Sequence, residues 1–195
     1  MIPYSRQFIN KDDLQAVGDT LLSPLITQGP RVGEFESALR TIHDCADAVA
    51  CSSGSSALHL AYAACGIDEH GIGIVPSITF ASTANAFRHL GAKVLFCDVD
   101  SATGLIDLNS LEQNLKLANI SRKSGAGVIA PVSFAGKVAP LKECRRLAVK
   151  YDFLLVEDAS HSPLALGAAK PTSPVDTPQL SVPRAFTSSN VPASA

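Results

Sequence analysis

The chain predicts an α/β fold, in which a largely parallel β-sheet is covered by helices on both faces. Three observations predict it. From Ala46 to Asp158, apolar runs of strand length alternate with segments of helical length. Those segments are long enough for crossover helices, which parallel neighbours require. The chain has 195 residues, 46% hydrophobic and 17% charged, enough for a domain with a real core.

The first elements are helical. Asn10 followed by Asp13 reads as an N-cap with an acidic first turn. Leu14, Val17 and Leu21 then recur on one face until Ser23-Pro24 ends the helix. Thr27-Gln28-Gly29-Pro30 is a turn, and the next helix offers Phe35, Leu39 and Ile42 as its buried stripe.

The alternation begins beyond Ala46. Ala48 to Cys51 reads as a short buried strand, and Ser52-Ser53-Gly54 turns into a helix through Cys65. A strand is expected over Gly73–Pro76, a helix from about Ala81 to Leu90, and a strand over Lys93–Cys97 ending at Asp98. Next come a helix over Leu108–Leu117, a strand over Val128–Val132, and a helix over Pro140–Tyr151 with proline at its start. The strand from Phe153 to Val156 ends in Glu157-Asp158. No internal repeat is present.

The formal net charge of −2 excludes a strongly basic nucleic-acid or anionic-membrane surface. Lys142, Arg145, Arg146 and Lys150 share a broad helix face and read as a solvated one. The five cysteines are scattered and never form C-x-x-C, which argues against both zinc and a disulfide framework and fits a reducing compartment. Met1 to Asn10 lacks the apolar core of a signal peptide, and no apolar run approaches the roughly 20 residues that span a bilayer. A cytoplasmic location is expected.

From Gly167 to Ala195 the composition shifts to Pro, Ser, Thr, Ala and Val, punctuated by Pro171, Pro174, Pro178, Pro183 and Pro192. Such a segment buries too little surface to offset its ordering entropy. The expectation is one domain over residues 1–166 and a disordered tail over 167–195, with neither strand nor helix in it.

Ligands of an open parallel sheet bind beyond the carboxyl ends of its strands, and three features fall there. Ser52-Ser53-Gly54-Ser55-Ser56 is a strand-to-helix turn where free N–H groups and the helix dipole favour a phosphate. An ordinary helix cap would use the same residues. Asp158 closes an apolar strand and needs a partner, either a protonated ring nitrogen or the backbone of the next loop. His161 stands three residues on, placed to orient Asp158 or a ring hydroxyl, or to serve as a structural hydrogen-bonder. Phe80, after Pro76-Ser77-Ile78-Thr79, is placed either to stack on a flat heteroaromatic ring or to join the core.

Competing motifs fail. The first strand is not followed by G-x-G-x-x-G, no Walker lysine follows Gly54, and Ser53-Gly54-Ser55-Ser56 is no nucleophile elbow. His59 reads as helix packing.

Several stretches together resemble the DegT/DnrJ/StrS family of nucleotide-sugar aminotransferases. They are Ile2-Pro3-Tyr4-Ser5-Arg6-Gln7, Ile26-Thr27-Gln28-Gly29-Pro30, and Cys51-Ser52-Ser53-Gly54-Ser55-Ser56-Ala57-Leu58. Pro76 to Asn85, Phe96-Cys97-Asp98-Val99-Asp100 and Val156-Glu157-Asp158-Ala159-Ser160-His161 complete the set. The resemblance covers residues 2 to about 166 and is strongest toward the pseudaminic-acid-pathway members, which act on UDP-linked 4-keto-6-deoxy sugars. It implies an incomplete aspartate-aminotransferase-like large domain, a pyridoxal 5'-phosphate (PLP) cofactor, an amino-acid donor and a homodimer. Ser55 and Ser56 amides would hold the phosphate and Phe80 would stack on the pyridine ring. Asp158 would pair with the ring nitrogen, with His161 beside it or the ring oxygen, and no metal is implied.

The family's Schiff-base lysine lies well downstream of its Asp-x-x-His block, and no catalytic residue is assigned here. The only lysine after Asp158 is Lys170, in the Pro/Ser-rich stretch and in the wrong surroundings. The resemblance therefore reads as a truncated, catalytically incomplete copy. Two alternatives stand beside it: a non-catalytic fragment that binds PLP or a partner and regulates, and a PLP-dependent sugar dehydratase with histidine in place of that lysine.

Overall fold

A computed structural model describes residues 7–121, 124–162 and the backbone of 179–183. These fall into two compact units, one up to Ala50 and one from Cys51 onward.

Among the described residues the first unit holds two helices. Helix α1 (Lys11–Leu21) starts at Asn10, whose side chain accepts the amides of Asp12 and Asp13 while Asp13 returns a bond to the Asn10 amide. That capping box satisfies donors the helix cannot satisfy itself. Helix α2 (Pro30–His43) opens with proline after Gly29, and Gln28 makes the preceding turn with a left-handed φ of 53°. Of its expected stripe only Leu39 is fully buried, and Phe35 and Ile42 are half-buried.

The strand expected over Ala48–Cys51 does not form. Two of its amides are taken by side chains, Ala48 N by Asp47 Oδ1 at 2.9 Å and Ala50 N by Glu36 Oε1 at 2.8 Å. Val49 is 77% exposed, so the apolar run is not buried either. Extended backbone whose donors are spent locally gains nothing from a ladder.

The second unit begins with α3 (Gly54–Ala64), followed by β1 (Ile72–Pro76), α4 (Ala81–His89), β2 (Lys93–Cys97) and α5 (Leu108–Ser121). After these come β3 (Gly127–Ile129), a single 3-10 turn (Phe134–Gly136), α6 (Leu141–Tyr151), β4 (Leu154–Ala159) and β5 (Gln179–Pro183). The strand expected over Val128–Val132 is shorter, because only an isolated bridge from Val132 to Asp158 continues it. The sheet order is β2-β1-β3-β4-β5 and every pairing is parallel.

Strand β5 corrects one expectation. The segment read as free of strands contributes Gln179–Pro183, in register with Leu155–Ala159 of β4. Leu180 and Val182 alternate with polar residues, a period-2 pattern too short to stand out alone. The strand forms because β4 presents a ladder to complete, and Pro183 ends it. The boundary at residues 166 and 167, the rest of the tail with Lys170, and the Ile2–Arg6 stretch lie outside the described residues.

Alternation along the strands divides the core. Ile72, Ile74, Ile129 and Leu155 face α5 and α6, packing on Leu111, Leu115, Cys144 and Leu147. Val75, Val128 and Val156 face α3 and α4, packing on Leu58, Tyr62, Ala86 and Phe87. Helices thus cover both faces, as the sequence predicts. The chain leaves β1 first to one side, to β2, and then to the other, to β3, so the switch point sits beside the carboxyl end of β1.

Candidate functional site

The parity that sends Val156 toward α3 and α4 sends Asp158 the same way, at the carboxyl end of β4. Asp158 is 3% exposed. Its Oδ1 accepts both the Ser160 hydroxyl at 2.6 Å and the Ser160 amide at 3.1 Å, a tight turn within one loop. Its Oδ2 accepts the Thr83 hydroxyl at 2.7 Å. An ionised carboxylate offers about four acceptor positions, so Oδ2 retains capacity for another donor. Among the described residues no Lys, Arg or His pairs with Asp158.

The Ser52–Ser56 turn reaches the same edge. Ser53 is the N-cap of α3, and its hydroxyl accepts the Ser56 amide at 3.1 Å. Gly54 and Ser55 occupy the first two helical positions, whose N–H groups have no acceptor within the helix. A Cβ built on Gly54 would lie 3.7 Å from Ser160 Oγ, the hydroxyl that also bonds Asp158, so the turn and the carboxylate are neighbours. Ser55 Oγ meets Ser82 Oγ at 2.5 Å, which joins the N-terminal turns of α3 and α4.

Phe80 precedes α4 as its N-cap and is 72% exposed, so it is not a core residue. Its ring is open for a planar ligand. His161 is tied elsewhere than to Asp158. Its Nδ1 accepts the Ala135 amide at a long 3.5 Å, and its ring tilts against Phe134 with centroids 5.4 Å apart. Ala135 holds a left-handed φ of 52°.

Sequence reasoning missed four residues around this edge: Thr83, Ser160, Ser82 and Tyr62. Asp158-Ala159-Ser160 carries an Asx-turn spacing that points to Ser160. Thr83 has no local signal, since its partner is 75 residues away. Tyr62 donates its hydroxyl to the Thr83 carbonyl at 3.2 Å. Burial, and then the charge of Asp158, push the Tyr62 phenol well above its ordinary range, so it stays a neutral donor.

Comparison with known proteins identifies the family. Residues 7–172 match the DegT/DnrJ/EryC1/StrS aminotransferase family, and the chain belongs to that family. It is 40% identical over 162 residues to a UDP-4-amino-4,6-dideoxy-N-acetyl-beta-L-altrosamine transaminase of Campylobacter jejuni, covering 83% of this chain and 42% of that protein. Among solved structures, Helicobacter pylori PseC, an aminotransferase of pseudaminic acid biosynthesis, superposes with a TM-score of 0.72 at 29% identity, over 82% of this chain and 42% of that one. A Streptococcus pneumoniae sugar aminotransferase in its PLP form gives 0.73 at 27% identity, over 83% and 43%. The chain spans about two fifths of the length of the relatives it matches.

Proposed function

We propose that this chain is the cofactor-holding part of a PLP-dependent aminotransferase acting on a nucleotide-linked 4-keto-6-deoxy sugar. The observation that carries this reading is Asp158: a buried carboxylate that neutral donors hold, with no cation on it among the described residues and acceptor capacity left on Oδ2. Such a group is complemented by a cation, and a protonated pyridine nitrogen is one that fits beside an exposed aromatic ring.

The residues fit the group. Gly54 and Ser55 would bind the phosphate through the amides of the first turn of α3, with the Ser55 and Ser82 hydroxyls beside them. The Ser56 amide already donates to Ser53, so its share in that hold requires the cap to yield. Phe80 would cover one ring face. Asp158 would keep the ring nitrogen protonated, and the buried Thr83 and Tyr62 would exclude water behind it. When bound, PLP serves as an electron sink for a substrate carbanion. His161 would stand near the ring oxygen, positioned by Ala135 and Phe134 and not by Asp158. Amino-acid donor, nucleotide sugar, a homodimeric state and a cytoplasmic location complete the proposal. The last accords with five free cysteines and with no described helix long and apolar enough to cross a membrane.

The test is binding of PLP by the 195-residue protein. Calorimetry should detect it, weakened in Asp158→Asn. Absence of binding in the wild type, or binding unchanged in Asp158→Asn, removes the reading.

A further inference from the structure

We propose that Thr83 is a positioning residue, which aims Asp158 at the nitrogen of a bound heterocycle through a buried relay of hydroxyls. The inference rests on the reading of Asp158 given above and adds to it how the carboxylate is oriented.

Thr83 is wholly buried, and its hydroxyl is linked on both sides. It receives the Thr79 hydroxyl at 2.7 Å and donates to Asp158 Oδ2 at 2.7 Å. A hydroxyl carries one proton, so accepting from Thr79 commits that proton to Asp158. The Thr83 amide bonds the Phe80 carbonyl at 3.0 Å, and its carbonyl receives Tyr62. Tyr62 is itself held flat against Phe87. The first turn of α4 is thereby pinned to β4 and to α3.

Two consequences follow for a ligand. Ser160 supplies both donors on Oδ1, and Thr83 supplies the one on Oδ2, so the carboxylate is held at both oxygens and cannot rotate without losing a bond. The same turn carries Phe80, so ring face and ring nitrogen are indexed to one another by a single residue. Valine would fill the same space and lack the donor. The hydroxyl at this position is therefore explained by the carboxylate and not by packing.

The experiment uses the 195-residue protein and 4'-deoxypyridoxine 5'-phosphate, which cannot bond covalently to an amine. Affinity is read by fluorescence, and ring-nitrogen protonation by the absorbance of the bound 3-hydroxypyridine between about pH 6 and 9. Thr83→Val should bind roughly ten- to a hundredfold more weakly, with the bound ring nitrogen deprotonated at lower pH than in the wild type. Thr83→Ser, which keeps the hydroxyl, should restore both readouts, and Thr79→Val should give a smaller change of the same sign. Should Thr83→Val fail to fold, the Ser and Thr79→Val variants decide: an unchanged spectrum in Thr79→Val overturns the relay. Wild-type binding with Thr83→Val indistinguishable from it, or weakened with no spectral change, overturns this inference and leaves the cofactor site standing. No binding by the wild type overturns the cofactor reading and this inference with it.

Discussion

Phe87 of α4 lies flat on Tyr62 of α3, with ring centroids 3.7 Å apart and planes 11° from parallel. Gly73 of β1 is what lets Phe87 sit there, because a Cβ at that position would come within 2.5 Å of the ring. Gly73→Ala must therefore displace Phe87, and with it the Tyr62 hydroxyl bonded to Thr83. Overpacking of this kind costs about 1–3 kcal/mol. Denaturant unfolding should show a lower midpoint for Gly73→Ala, and weaker PLP binding should accompany it. An unchanged midpoint would mean that the ring moves at no cost.

The buried thiols set a pH dependence. Burial pushes Cys97 and Cys144 each up to about 12, from an ordinary value of 9.0. A raised acid binds its proton more tightly in the fold than in the unfolded chain. Its contribution to stability is complete below about pH 9 and is lost as pH climbs toward 12. Stability measured by urea should fall across that window, and less steeply in Cys97→Ala/Cys144→Ala. In a timed alkylation at pH 8 the exposed Cys45 should react well before either of them.

Much of this architecture is legible in the sequence, for identifiable reasons. Strands β1, β2 and β4 are apolar runs bounded by turns, and the N-caps Asn10 and Ser53 carry the side-chain oxygens that their helices use. Asp158 is visible because a carboxylate ending an apolar strand is conspicuous. What failed was set by hydrogen-bond partners that composition does not show. Ala48–Cys51 has the composition of a strand, but Glu36 and Asp47 hold its amides. Strand β5 exists because β4 has an edge to pair, which no local pattern reveals. Thr83 reads as one more residue of a helix until the fold brings it to Asp158.

The last prediction concerns the carboxylate next to Asp158. Glu157 points to the opposite face of β4, is 8% exposed, and accepts the Ser133 hydroxyl at 2.5 Å. Ser133 Oγ also accepts the Ala139 amide at 3.0 Å, and the Ser133 amide donates to the Asp158 carbonyl at 3.0 Å. One serine thus ties the loop after β3 to the end of β4, and that loop carries the Ala135 amide that meets His161. Ser133→Ala would deprive a buried carboxylate of a donor and a buried amide of its acceptor. The expected loss is about 1–3 kcal/mol for the Ala139 amide left without that acceptor. Ser133→Thr keeps the hydroxyl and should recover part of it. Because Thr83 and Ser160 hold the Asp158 side chain from the other face, PLP affinity should change far less than stability does. The two are separable by calorimetric binding at a temperature well below the unfolding transition. If Ser133→Ala lost affinity as strongly as Asp158→Asn while its melting point stayed put, the loop after β3 would belong to the ligand site and not to its support.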